Sequence, residues 1–362
     1  MGAYLSADCS PLSTGRIVGF LSNLRRKSRK SASAITPNPF TPDDHCNAVR
    51  AENPVTRQSG RDKPVPYDTI ACCAVRDGPM SDDRVYCADL CLASGEPMLG
   101  TAVEVDVWLL LEYTPAWKPK ALEDNDLAAR TRDWLDHTLA AVAESGRKVR
   151  AQFIRRPELD TDETTLFIAE EGTLKRFRSR GYEDVQGLSL DSPDFEEVPK
   201  PHYFVCTNGQ RDLCCARYGL PAYAQLRALA GNRAWQTTHL GGHRFAPNVL
   251  VLPQGAIYGR VFPDEVADFV ETIETGALSR NHLRGRSAYL PEAQVAEALL
   301  DGARRLRSVD GGTVTFETEA GIAAVDIQPA ATPLEVIASC GRTEPEAVFP
   351  LQPVGRPRRE TA

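Results

Sequence analysis

Four positions in the second half of the chain combine residue types and spacing that suit a metal: Cys206, the adjacent pair Cys214-Cys215, His239 and His243. Thiolates and imidazoles are ligands for zinc and for iron–sulfur clusters, and two of each fill four ligand positions. Spacing alone leaves zinc and an iron–sulfur cluster both open, and leaves Cys214 and Cys215 both open as the second sulfur. The histidines flank Leu240-Gly241-Gly242. Two successive glycines can take positive φ, so the backbone can wrap closely around an inorganic core.

The elements that must bring these residues together follow from local pattern. His202–Cys206 is a strand, Pro221–Ala230 a helix begun by its proline, and Ala234–His239 a second strand. Asn248–Leu252 and Ala256–Val261 form a hairpin across Pro253-Gln254-Gly255, and Asp264–Glu274 is a closing helix with Asp264 as its N-cap. Strand ends in such a parallel unit meet at the carboxyl edge of the sheet, where ligand sites form. Cys206 and His239 end the two strands and therefore converge.

An earlier stretch has the same order. Val103–Tyr113 is a buried strand, Asp126–Ser145 an amphipathic helix, Lys148–Ile154 a strand, and Thr165–Ala169 with Leu174–Phe177 a hairpin; the amphipathic Tyr182–Leu190 follows. Each long first connection implies a right-handed parallel crossover. The fold class is therefore α/β, with two tandem thioredoxin-like domains at 66–198 and 199–275. A C-terminal α+β extension, 276–362, holds a helix at Pro291–Leu306 and strands at Thr313–Glu317 and Ile322–Ile327.

Residues 1–65 read as a disordered or targeting tail. The first 35 residues carry six Lys/Arg, most of them in Arg25–Lys30, against the single acid Asp8. The location read from this is cytoplasmic, or organellar if the basic segment is a transit peptide. Over all 362 residues the net charge is −7, which argues against nucleic acid as a partner, and no apolar run is long enough for a membrane span. Ten cysteines in so long a chain, irregularly spaced and without a convincing signal peptide, point to a reducing compartment rather than a disulfide scaffold.

Cys206, Arg211-Asp212, Cys215 and the run His239-Leu-Gly-Gly-His243-Arg-Phe-Ala with its VLVLP strand resemble the sucrase/ferredoxin-like family. Its better-studied members are bis-histidine thioredoxin-like ferredoxins. The resemblance extends to GTA…WLLLE…W…AL and to HLRGRSAYLP, over roughly residues 68–345. It implies a 2Fe–2S cluster with Cys206 and Cys215 on one iron and His239 and His243 on the other. Matched from Arg211-Asp212, the pattern favours Cys215 over Cys214. The implied role is electron transfer or redox sensing with an unidentified redox partner protein, and a catalytic role is secondary. No paired carboxylates support a glycosidase. Two neutral ligands raise the potential above that of a four-thiolate cluster and make it fall with pH. The alternative is a zinc-stabilised Cys2His2 binding module on the same fold.

The remaining candidates read as structural. Arg211-Asp212 suits a helix-entry ion pair, Arg244 and Phe245 loop packing, and His202 a strand position. Cys72-Cys73 and the Cys87-x3-Cys91 pair read as buried thiols because no histidine lies near them, with a second metal or redox site as the alternative; Cys340 is a lone structural thiol, and His45, His137 and His282 show no partner pattern. No Cys-x-x-Cys stands at the strand-to-helix turn, which weakens a thiol–disulfide oxidoreductase.

Overall fold

Val107–Glu112 (β1) is apolar at nearly every position and buried throughout, as a strand covered on both faces must be. The computed structural model describes residues 84–360 and places β1 inside a ten-stranded sheet. The expected tail, Cys72-Cys73 and His45 lie outside the described residues.

A short helix, Cys87–Ser94 (α1), precedes β1. After β1 the chain forms Ala129–Glu144 (α2), which buries Trp134, Leu135 and Val142, and returns as Val149–Arg155 (β2), parallel to β1. Thr164–Glu170 (β3) and Thr173–Ser179 (β4) make a hairpin whose turn residues Glu171 and Gly172 both have positive φ. Glu196–Glu197 (β5) ends this edge.

The second half repeats the order. His202–Cys206 (β6) leads through Leu213–Ala230 (α3) to Ala234–Thr237 (β7), parallel to β6. Val249–Leu252 (β8) and Ala256–Tyr258 (β9) form the hairpin, Val266–Glu274 (α4) covers it, and Leu283–Arg286 (β10) adds an edge strand. Across the sheet the order is β10-β9-β8-β6-β7-β2-β1-β3-β4-β5. The succession β9-β8-β6-β7 is thus mirrored by β4-β3-β1-β2, and the halves join where β7 meets β2 antiparallel at Thr237↔Ile154 and Gln236↔Arg155.

Beyond it lie Pro291–Leu299 (α5), Ala303–Asp310 (β11), Thr313–Thr318 (β12), Gly321–Pro329 (β13), Leu334–Val336 (β14), Glu346–Val348 (β15) and Leu351–Glu360 (β16). Strands β11, β12, β13 and β16 form a second sheet, and α5 shares a core with it through Val295, Phe316 and Val325.

Several elements differ from their sequence-based outlines. Helix α3 begins at Leu213, not at Pro221, because the Asp212 side chain caps it by accepting the Cys214 N–H at 2.9 Å. Pro221 sits inside the helix, which continues because Ala222, Tyr223, Leu226 and Ala230 are buried beyond it. Tyr182–Leu190 is a series of turns, so the first half lacks a closing helix; Tyr182 instead donates to the Glu112 carbonyl at 2.9 Å. Helix α4 starts after Glu265 rather than Asp264. The helix expected over Pro291–Leu306 stops at Leu299, where Asp301-Gly302, with Gly302 at φ +66°, turns the chain into β11. Among the described residues no helix is long and apolar enough to cross a membrane.

Candidate metal centre

Each donor is positioned by a different piece of backbone. Cys206 is the last residue of β6 and is buried. Cys215 lies in the first turn of α3, also buried. Gly219, one turn further on, lets this helix approach the strand: a Cβ there would collide with the Cys206 carbonyl. His239 follows β7, and its carbonyl accepts from Arg150 Nη2 at 2.7 Å and Gln152 Nε2 at 3.4 Å, both on β2. The first half thus holds a residue of the second half's site.

The loop to His243 is held just as firmly. Gly241 and Gly242 have φ of +91° and +65°, the left-handed conformation that glycine tolerates. The Arg284 guanidinium donates to the Gly241 carbonyl and to Asn248 Oδ1, both at 2.8 Å, and Asn248 Nδ2 donates to the Gly242 carbonyl at 3.0 Å. Arg284 is 2% exposed, and burial pulls its pKa down to about 9. Arg244 leaves the loop on the other side and makes a two-pronged ion pair with buried Glu96, with contacts of 2.8 Å. Phe245 is fully buried, so both residues pack the loop, as read from sequence.

These supports bring the donors together. His239 Nδ1 lies 3.9 Å from Cys206 Sγ and 3.7 Å from Cys215 Sγ, and the three donor atoms all fall within 4.8 Å of one another. The His243 ring stands beside that of His239, centroids 5.0 Å apart and tilted by 33°. His243 Nε2 is 3.5 Å from Asp212 Oδ2, while its Nδ1 is buried with no hydrogen-bond partner among the described residues. Asp212 therefore pairs with His243 as well as capping α3.

The two sulfurs push each other's ionisation in opposite directions. The hydrogen bond from Cys215 holds the Cys206 thiol well below its ordinary range, helped by His239 and the Leu240 N–H and opposed by burial. Cys215, the donor of that bond and itself buried, is held well above. Burial keeps His243 below the usual imidazole range, against the attraction of Asp212, so its neutral, ligating form is favoured. A cleft of about 420 Å³ lined by Lys120, Arg150, Asn208 and Arg211 reaches His239, while both sulfurs are covered.

Cys214 faces away from this centre. Its Sγ lies 3.5 Å from Cys87 and 3.2 Å from Cys340, so Cys340 is not the lone thiol expected from sequence. Cys87 and Cys91 do not form a pair either, since Cys91 donates to Glu96 Oε2 at 3.0 Å. His202 is buried in its strand, and His282 contacts Ser279 and Glu265. Sequence reasoning missed Arg150, Arg284 and Glu96 as supports. The only trace of Arg284 was the HLRGR run, because a buried arginine has no signature in composition or periodicity.

These arrangements can bind a metal ion. Comparison with known proteins gives two relatives called "Altered inheritance of mitochondria protein 32". The protein from Meyerozyma guilliermondii is 32% identical over 116 residues, 28% of this chain and 41% of its own length. The one from Debaryomyces hansenii is 32% identical over 105 residues, 25% of this chain and 38% of its own. The chain thus spans about two fifths of the length of these curated relatives. No solved structure matches. The family model for sucrase/ferredoxin-like proteins matches residues 98–285, which contain β1 through β9, all but the last residue of β10, and Cys206, Cys215, His239 and His243. With just over half of its length matched, the chain belongs to the sucrase/ferredoxin-like family.

Proposed function

We propose that Cys206, Cys215, His239 and His243 hold a 2Fe–2S cluster and that the protein transfers electrons or senses redox state through it. The observation that carries this reading is His243 Nδ1, buried and unpartnered beside three converging donors. A single zinc ion draws four donors into one tetrahedron. Here three donors cluster within 4.8 Å and the fourth stands outside that group, which favours a core of two metals.

Bound there, the cluster supplies one-electron redox chemistry. Two thiolates and two neutral imidazoles bring two fewer negative charges than four thiolates, placing the potential at about −150 to +300 mV. Each histidine that coordinates through Nδ1 keeps Nε2 for a proton, so the potential falls as pH rises. Buried Cys206 and Cys215 exclude water from the sulfurs, and the cleft at His239 is where a redox partner protein docks.

The repeated strand order supports two thioredoxin-like units over 66–198 and 199–275, with 276–362 as an extension. The names of the relatives refer to mitochondria, which supports an organellar rather than a cytoplasmic setting.

The test is the visible absorption of freshly purified protein with iron and sulfide analysis. Red-brown protein with two irons and two sulfides at this centre supports the cluster. Colourless protein with zinc on these residues replaces it with the zinc-stabilised module. In His243→Cys the cluster is expected to persist at a lower potential with a flatter pH dependence; an unchanged potential removes His243 from the ligand set.

A further inference from the structure

A second group of donors lies apart from this centre. Cys87 of α1, Cys214 of the first turn of α3 and Cys340 of the segment between β14 and β15 meet the Asp212 carboxylate, with all four donor atoms within 4.8 Å of one another. The sulfurs form a triangle with sides of 3.5 Å (Cys87–Cys214), 3.2 Å (Cys214–Cys340) and 3.7 Å (Cys340–Cys87). Asp212 Oδ1 is 3.9 Å from Cys87 Sγ.

Buried free cysteines ordinarily behave as separate small hydrophobes, whereas these three touch one another and a carboxylate. Zinc–sulfur bonds of about 2.3 Å at tetrahedral angles separate two sulfurs by about 3.8 Å, close to the sides of the triangle. A disulfide, at about 2.05 Å, joins two sulfurs and strands the third. A second iron–sulfur cluster distributes its thiolates over several irons, and three sulfurs this close fit one ion better.

We propose that Cys87, Cys214 and Cys340, with Asp212 as the fourth donor, bind a single zinc ion. The donors are already oriented. The Ala88 N–H donates to Cys214 Sγ at 3.4 Å, and Asp212 Oδ2 accepts from the Cys340 N–H at 3.0 Å and from Ser339 Oγ at 3.2 Å. That leaves Oδ1, which accepts one N–H from Cys214, with a further lone pair on the Cys87 side.

Four protein donors make a closed, structural site. It ties together three segments far apart in sequence. Helix α1 needs such a tie, since it buries only Cys87, Ala88 and Cys91 and leaves Leu90 and Leu92 exposed. The ion also braces the first centre, because α1 packs on the His243–Phe245 turn and Asp212 faces His243.

The test uses the full-length protein, purified anaerobically with reductant after growth with iron and zinc. One zinc per chain is expected beyond the metal of the Cys206 centre. Cys87→Ser/Cys340→Ser loses that zinc and keeps the metal at Cys206, whereas Cys206→Ser does the reverse, so the two readings fail separately. Zinc X-ray absorption of the wild-type protein reads three sulfurs at about 2.3 Å and one oxygen. Cadmium exchanged into the wild-type protein gives a sulfur-to-cadmium ultraviolet band, which the milder Cys340→Ala removes with circular dichroism unchanged. Unchanged zinc in the Cys87/Cys340 variant overturns the proposal, as does a Cys214–Cys340 disulfide trapped by alkylation in cells lysed without reductant.

Discussion

The two halves of the large sheet share a strand order, but the candidate metal donors Cys206, Cys215, His239 and His243 lie in one of them. Glu112 faces Ile154 across β1 and β2, and Cys206 faces Thr237 across β6 and β7. Ile154 and Thr237 themselves pair where the halves join. Glu112 therefore stands where Cys206 stands, and Arg156, two residues beyond Ile154, stands where His239 does. The first pair is an ion pair at 3.8 Å, and in the second Sγ and Nδ1 are 3.9 Å apart. One geometry serves two chemistries. The third donor depends on the loop. Helix α3 starts at Leu213, soon after Cys206, and swings Cys215 back over it, whereas α2 starts only at Ala129 after a long excursion from Glu112.

The sharpest break in this comparison is Cys206→Ser, expected to abolish entirely the visible chromophore of the proposed cluster. Cys214→Ser should keep it, because Cys214 faces Cys87 and Cys340. Absorption and iron content read both, and colour lost in Cys214→Ser but kept in Cys215→Ser refutes the assignment of Cys215.

The counterpart substitution in the other half, Glu112→Ala, should act on stability instead. It strands the Arg156 guanidinium, which is 13% exposed and stacked 3.7 Å over Trp235, and removing one partner of a buried pair costs about 3–5 kcal/mol. Denaturant unfolding measures this, with iron per folded chain unchanged. A cost near zero would make the pair a surface-like one.

His202, at the start of β6, packs against Phe167 of the first half with centroids 5.3 Å apart and reports on the seam between them. Burial lowers its pKa to about 4 from 6.5. As pH falls, the unfolded chain takes up this proton first. The stabilisation is therefore complete above pH ~6.5, declines through the interval down to pH ~4, and is lost below it, amounting to about 3 kcal/mol. His202→Gln should flatten that segment of a stability–pH curve; an unaltered slope would locate acid sensitivity elsewhere.

The smallest effect expected is from Gly219→Ala, which pushes α3 off the Cys206 carbonyl. Overpacking of this kind costs about 1–3 kcal/mol, and a shift of the visible bands should accompany it. Unmoved bands would mean that the helix yields without disturbing Cys215.

Much of this was legible in sequence because it is local. β6 was outlined at its observed ends, both hairpins fell where turn residues stand between apolar runs, and Gly241-Gly242 announced a left-handed loop. Helix boundaries were less legible. Pro221 suggested a start, yet a capping aspartate and buried positions beyond the proline outweighed its missing N–H. Asp301-Gly302 ended a helix whose apolar pattern continued.

Residue types and short spacings by themselves singled out Cys206, the Cys214-Cys215 pair, His239 and His243 as candidate donors, and the motifs around them carried the family resemblance, since ligand chemistry is carried by individual side chains. Tertiary structure alone decided which cysteines are neighbours. Cys214 and Cys215 are adjacent in sequence but point to different centres, because successive residues of a helix leave it in directions about 100° apart. Cys87 and Cys340 meet Cys214 through packing between distant segments, a contact that no local periodicity encodes.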